Sequence, residues 1–147
     1  MLENVAPLSA YSFSGALVMP NLVPPVTTLE DVKAYKERII AAVPNDYFEP
    51  YMTLFYKNYD KKFLSEVKEH ITAIKLYPAG ITTNSEGGVS SFNIDEMRET
   101  LEAMSILGIP LCVHGETDGF VMDREAEFMN IYDLLATHFP DLKIHME

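Results

Sequence analysis

Residues 73–84 read Ala-Ile-Lys-Leu-Tyr-Pro-Ala-Gly-Ile-Thr-Thr-Asn, and the rest of the chain is best understood from this stretch. It begins with an apolar run that contains one lysine, Lys75, and that ends at Pro78 and Gly80. A short apolar run closed by proline and glycine is typical of a buried strand that leads into a loop. Lys75 is therefore predicted near the carboxyl end of a buried strand.

A lysine in such a strand needs an explanation, because burying an ammonium group is costly. The side chain either reaches water from an edge strand, loses its proton, pairs with an anion or is chemically modified. One modification suits the position: a neutral amine adds carbon dioxide and becomes a carbamate, whose oxygens can bridge two metal ions. That interpretation requires metal ligands nearby, at the strand ends where a β/α barrel places its chemistry.

The composition is that of an acidic, globular chain. Of its 147 residues 48% are hydrophobic, and 11 basic against 22 acidic residues give a formal net charge of −11. This charge argues against nucleic acid or an anionic membrane surface as a partner. A single cysteine, Cys112, excludes an internal disulfide and indicates a reducing compartment, and we expect it to be a small buried residue. With no signal peptide or membrane span in the sequence, we expect one cytoplasmic domain over residues 1–147.

Strand patterns and helix patterns alternate along the chain. Apolar runs predict strands at 15–19, 51–56, 73–77, 109–114 and 142–147. Helical patterns follow the first four strands, with a capping box at Thr27 and Glu30, a cap at Asp60, a helix from Asn93 to Gly108 and another at 123–138. This order predicts an α/β fold of parallel β/α units. Longer loops follow the strands, so function is expected at the carboxyl edge of the sheet, whether it is open or closed into a barrel.

A histidine joins Lys75 at that edge. His114 closes the fourth predicted strand, and one helix separates it from the strand of Lys75. Neighbouring parallel strands lie about 4.7–4.9 Å apart, so a modified Lys75 and His114 could share one metal centre, although a strand-end histidine can also be merely hydrogen-bonded. The other three histidines are expected on the surface or on the outer face of the sheet: His70, His138 and His145.

Polar residues in two loops are candidate ligand-binding groups. Asn21 lies just past the first strand, where its side chain either donates hydrogen bonds to a carboxylate or caps the loop. Thr82 and Thr83 lie in the loop after the third strand, and Gly87 and Gly88 are candidate hinges of a lid or of a mobile surface segment. Three acidic residues are either further metal ligands or part of a solvated loop: Glu116, Asp118 and Asp123.

Three motifs occur in order along the chain. They are Val18-Met19-Pro20-Asn21-Leu22 with Pro24-Pro25-Val26-Thr27-Thr28, then Lys75-Leu76-Tyr77-Pro78-Ala79 with Thr82-Thr83-Asn84, then Val113-His114-Gly115-Glu116. Together they resemble bacterial dihydroorotase of the shorter, barrel-only type, in the amidohydrolase superfamily. The resemblance implies a partial TIM (β/α)8 barrel, about strands two to six of eight, of the metal-dependent hydrolase type. It also implies zinc-dependent, reversible cyclisation of N-carbamoyl-L-aspartate to L-dihydroorotate in pyrimidine biosynthesis.

The resemblance further implies roles for individual residues. Lys75 corresponds to the carboxylated lysine that bridges two zinc ions, and His114 to a zinc ligand at the substrate site. Asn21 corresponds to the asparagine that holds the substrate carboxylate, and Thr82 and Thr83 to the loop that closes on the substrate. The family's first-strand histidine pair, a further zinc histidine and the proton-transferring aspartate have no counterpart, so no catalytic residue is expected within 1–147. The chain is therefore expected to be an internal fragment, inactive alone, whose unpaired strand edges favour association, for example as a homodimer.

Two other functions stay open at this point. A non-catalytic α/β binding or scaffold domain would keep the fold without the chemistry. Another metal-dependent cyclic amidohydrolase would keep the lysine, but it would not by itself explain Asn21 and the two threonines.

Overall fold

The computed structural model describes residues 2–44 and 47–147, with five strands and five α-helices in those ranges. The strands are Gly15–Val18 (β1), Glu49–Phe55 (β2), Ala73–Leu76 (β3), Leu111–Val113 (β4) and Ile144–Met146 (β5). The helices are Leu2–Ser12 (α1), Leu29–Ala42 (α2), Lys61–Val67 (α3), Ile94–Leu107 (α4) and Arg124–His138 (α5). All predicted strands and helices are present with shifted ends.

Helix α1 is an element that the sequence patterns did not predict. Pro7 lies inside it, and an internal proline removes a helical hydrogen bond and normally argues against a helix. The packing of α1 against α2, with Ala6 buried, overrides that local signal. Among the described helices, none is long and apolar enough to cross a membrane.

The strands form one parallel sheet in the order β1-β2-β3-β4-β5, so neighbours in sequence are neighbours in space. A doubly wound sheet reverses its direction of growth and carries helices on both faces. Here the order never reverses, and one set of buried strand side chains packs on the helices in a single core. The expectation of a partial β/α barrel is therefore confirmed as a five-stranded half-barrel.

The hydrophobic core lies between the sheet and the helices. Strand side chains alternate between the two faces of a sheet, and the set that packs on helix residues such as Leu101 and Leu135 is almost fully buried: Met52, Leu54, Ile74, Leu76, Leu111 and Val113. Apolar burial of this kind is the main stabilising term, at roughly 25 cal/mol per Å². The other set points to the opposite face, here called the inner face, and includes Thr53, Phe55, Lys75 and Cys112.

Local capping signals place the helix ends. The Asp60 side chain accepts a hydrogen bond from the backbone N–H of Phe63 at 2.7 Å, and Asn93 caps α4 in the same manner through Asp95 at 3.0 Å. Gly108 ends α4 in the left-handed region with φ of 70°, a conformation that favours glycine. These three predictions are confirmed.

The cap of α2 was predicted one residue too early. Thr28 caps this helix and Asp31 completes the box, with Thr28 Oγ1 accepting from the Asp31 N–H at 3.1 Å. The pair Thr27 and Glu30 has the same spacing and equivalent chemistry, so the local pattern could not separate the two registers.

Candidate metal and substrate site

Lys75 lies in the middle of the sheet, and its side chain is only 2% exposed. Strand β3 pairs with β2 through Phe55 and with β4 through Cys112, so Lys75 has a strand on each side. The interpretation in which this lysine reaches water from an edge strand is therefore wrong. A buried ammonium that stays charged needs an anionic partner.

Glu147, directly after β5, provides that anion. Its Oε2 is in direct contact with Lys75 Nζ, and its side chain is 29% exposed. Backbone bonds hold it in register: the Glu147 N–H donates to Val113 O at 3.1 Å, and the Gly115 N–H donates to Glu147 O at 3.0 Å. The sequence analysis assigned no role to Glu147, although its position at the end of a predicted fifth strand was a usable signal.

The remaining histidines are mostly where they were expected. His70 and His138 are exposed on the helical side. His145 is also exposed, but it pairs with Cys112 in the sheet and so shares the inner face with Lys75. The surface position expected of His145 is confirmed, and register across the sheet places its side chain on the inner face.

His114 lies at the carboxyl edge beside Lys75. Its N–H donates to Leu76 O at 3.0 Å, which fixes it one position past β4. The Nε2 atom is buried and has no hydrogen-bond partner among the described residues; Glu116 Oε1 is 3.0 Å away but outside hydrogen-bond geometry. A shielded imidazole nitrogen without a partner is unusual, and neutral imidazole is a common metal ligand.

Lys75 and His114 thus lie on one face and near one edge of neighbouring strands. In residues 2–44 and 47–147, no three His, Cys, Asp or Glu side chains are arranged to hold a metal ion. Zinc takes four ligands in most protein sites, so the two residues account for part of a coordination sphere. Of the acidic candidates, Glu116 lies between His114 and Arg124, whose Nη1 is 3.8 Å from Glu116 Oε2.

Tyr77 is, with Glu147, a residue of this site that had no predicted role. Its ring is 3% exposed and stacks on Phe55 with centroids 5.4 Å apart. The His114 ring lies 6.2 Å from it, and Lys75 Nζ lies 5.2 Å from its centroid. Burial raises the pKa of Tyr77, and the nearby Glu147 carboxylate acts in the same direction, so the phenol keeps its proton and donates it in a hydrogen bond.

The two loops that carry the predicted substrate residues are joined directly. Asn21 Nδ2 donates to Thr83 O at 2.8 Å, and Asn84 Nδ2 donates to Asn21 O at 3.0 Å. Asn21 Oδ1 in turn accepts from the Tyr77 hydroxyl at 3.1 Å. Thr82 is next to this contact, and its carbonyl accepts from Ser85 Oγ at 2.7 Å. The structure therefore gathers Asn21, Thr82 and Thr83 into one cluster at the edge of the inner face.

The loop of residues 78–91 is anchored at its base. Ser85 is fully buried, and its carbonyl accepts from the N–H groups of Gly80 at 3.1 Å and Gly88 at 2.8 Å. A Cβ at Gly88 would lie 2.3 Å from Tyr77 O, so glycine at this position permits close packing of the loop against the end of β3. Gly87 is exposed, and its carbonyl accepts from Lys57 Nζ at 2.6 Å.

Comparisons with known proteins agree with this geometry, although no protein-family model matches the chain. A dihydroorotase of Rhizobium rhizogenes is 47% identical over 155 aligned residues, which include 100% of this chain and 44% of that protein. The crystal structure of dihydroorotase from Campylobacter jejuni superimposes with a TM-score of 0.96 and 63% identity, over 98% of this chain and 43% of that one. Dihydroorotase from Saccharomyces cerevisiae, solved in complex with 5-fluoroorotic acid, has a TM-score of 0.86 and 33% identity, over 97% of this chain and 42% of that one.

The fold is a segment of a β/α barrel, with polar residues at the carboxyl edge of the strands. The chain is similar to a segment of dihydroorotases over its whole length in sequence and over 98% of its length in structure. It spans about 44% of the length of the curated relatives that it matches.

Proposed function

We propose that this chain supplies one side of a binuclear metal centre and the substrate-binding loops of a dihydroorotase. That enzyme cyclises N-carbamoyl-L-aspartate to L-dihydroorotate, reversibly, in pyrimidine biosynthesis. The observation that carries the proposal is Lys75, which is buried in the central strand of a half-barrel that resembles dihydroorotases along its entire length. Burying a charged lysine is costly, and a metal-bridging carbamate would account for a lysine at that position.

The surroundings of Lys75 and His114 fit a metal centre. In this proposal a carboxylated Lys75 bridges two zinc ions, and His114 binds one of them at the substrate site. The position of Lys75 supports it, because the side chain is buried on the inner face, near the edge where His114 lies. The buried Nε2 of His114 supports the proposal, because it makes no hydrogen bond within the described residues. Bound zinc would polarise the carbonyl under attack and lower the pKa of a metal-bound water.

The loop cluster provides the substrate contacts. An asparagine side-chain amide carries two hydrogens; Thr83 O takes one from Asn21, and in this proposal the second goes to the carboxylate of the substrate. Thr82 and Thr83 close over the same group. The 5-fluoroorotic acid bound by the yeast relative is itself a ring carboxylic acid, which supports a carboxylate-binding site. We assign no proton-transfer residue to residues 1–147.

The test uses the complete polypeptide that carries these residues, purified with its native metal. Zinc content and dihydroorotase activity are measured for the wild type, for Lys75→Met and for Lys36→Met. Lys36 is a suitable control because it is 39% exposed and pairs with Glu49 on the surface. We expect about two zinc ions and activity in the wild type and the control. Lys75→Met should lose zinc and at least about 10³-fold in kcat/KM, since the metal stabilises the transition state by several kcal/mol.

Two results would contradict the proposal. Full zinc content and activity in Lys75→Met would remove the lysine from the metal centre. A wild type without zinc and without activity would favour the non-catalytic scaffold domain instead.

A further inference from the structure

We propose that Tyr77 is a positioning residue that orients the side-chain amide of Asn21 and ties it to the Thr83 loop. This inference rests on the proposed function, in which Asn21 binds the substrate carboxylate. Tyr77 itself does not touch the substrate. Its effect is transmitted through one hydrogen bond, from its hydroxyl to Asn21 Oδ1 at 3.1 Å.

The Thr83 carbonyl selects one orientation of the Asn21 amide, and the Tyr77 hydroxyl holds the other end of the amide in that orientation. The Tyr77 hydroxyl is a donor to Oδ1, and the Thr83 carbonyl can only accept, so it requires the Nδ2 end. A flipped amide would place Oδ1 against the Thr83 carbonyl, which sets two acceptors face to face. In the observed orientation, one Nδ2 hydrogen of Asn21 bonds to Thr83 O. The second Nδ2 hydrogen is then available to donate to a carboxylate ligand.

Tyr77 can hold this orientation because it is itself held firmly. Its ring packs between Phe55 and His114, with centroid distances of 5.4 and 6.2 Å. Its backbone carbonyl accepts from the Val89 N–H at 2.8 Å, at the far end of the loop. One buried residue thus connects the strand of the proposed metal ligands with both substrate loops.

The first measurement is steady-state kinetics on the complete polypeptide with Tyr77→Phe. Losing one neutral hydrogen bond is expected to raise KM about 3- to 10-fold, with kcat changed less than about 2-fold. A double-mutant cycle with Asn21→Ala distinguishes positioning from general damage: if Tyr77 acts through Asn21, the double variant has the KM of Asn21→Ala alone. Tyr56→Phe is the matched control, because Tyr56 is a buried tyrosine at the end of β2 whose hydroxyl bonds to Asn58 Oδ1 at 3.5 Å.

The second measurement is hydrogen exchange of backbone amides in residues 79–89, which does not depend on activity. We expect about 3- to 10-fold faster exchange in Tyr77→Phe and no change in Tyr56→Phe. Unchanged exchange, an unchanged KM, a loss confined to kcat or additive effects in the double-mutant cycle would each overturn the inference. If the wild type proves inactive, the proposed function fails, and the exchange rates alone then decide whether Tyr77 holds the loop.

Discussion

Replacing Lys75 by methionine in the metal-free protein measures whether this lysine contributes to the stability of the fold. The side chain is 2% exposed and forms an ion pair with Glu147, whose side chain is 29% exposed. Methionine has a similar length and no charge, so it fills the same space on the inner face. The metal-free protein is the appropriate sample, because a bound metal would add its own stabilisation to the wild type.

Lys75→Met changes the free energy of unfolding through two contributions of opposite sign. Removing the ammonium ends its desolvation penalty, and replacing a buried ion pair by an apolar residue is often neutral or stabilising by about 1–4 kcal/mol. Leaving Glu147 without its partner costs little, about 0–1 kcal/mol, because its carboxylate reaches water. The free energy of unfolding of Lys75→Met is therefore expected to be unchanged or higher by about 1–3 kcal/mol.

Urea denaturation of the two proteins in a chelating buffer measures the difference. Leu76→Ala is the matched comparison, because Leu76 is the next residue of β3, is fully buried and faces the helices. That variant should lose about 2–5 kcal/mol through lost burial and a cavity. A loss of about 3 kcal/mol or more in Lys75→Met would refute the reasoning, since the Lys75–Glu147 pair would then be a structural element.

Three further predictions follow from single contacts. Gly88→Ala should lower the free energy of unfolding by about 1–3 kcal/mol, because its Cβ would lie 2.3 Å from a backbone carbonyl. Gly87→Ala is the control in the same urea titration. It should be nearly neutral, because its Cβ would lie 3.4 Å from the flexible Lys57 amine. Burial opposes ionisation of Asp31, but hydrogen bonds from the cap residues outweigh it and lower its pKa below 3.8. The contribution of the Asp31 carboxylate to stability is therefore present above about pH 4 and is lost as the pH falls through the folded pKa. Asp31→Asn should lower the free energy of unfolding at pH 7 but not at pH 2. Equal losses at the two pH values would contradict the assignment. Burial, reinforced by the nearby Glu147 carboxylate, raises the pKa of the Cys112 thiol. Alkylation of this thiol by iodoacetamide at pH 8 should therefore be at least about 10-fold slower in the native protein than in urea. Equal rates would show that the thiol is accessible in the native protein.

Much of the fold could be predicted from the sequence because its signals are local. Apolar runs, capping residues and the glycine after α4 act within a few residues of chain, and they placed Lys75 on a buried strand and His114 on the next one. Local signals failed where packing opposed them, at Pro7 in α1, and where two registers were equivalent, at Thr27 and Thr28.

The sequence by itself determined the order of strands and helices, the misfit of Lys75 and the set of polar residues at one edge of the sheet. Only the tertiary structure decided that Lys75 meets Glu147, that Tyr77 bonds to Asn21 and that Gly88 packs on a strand end. The first two contacts join residues 72 and 56 positions apart. No local pattern encodes such pairs, because they depend on the register between strands and on the direction of each side chain once the sheet and its loops have packed together.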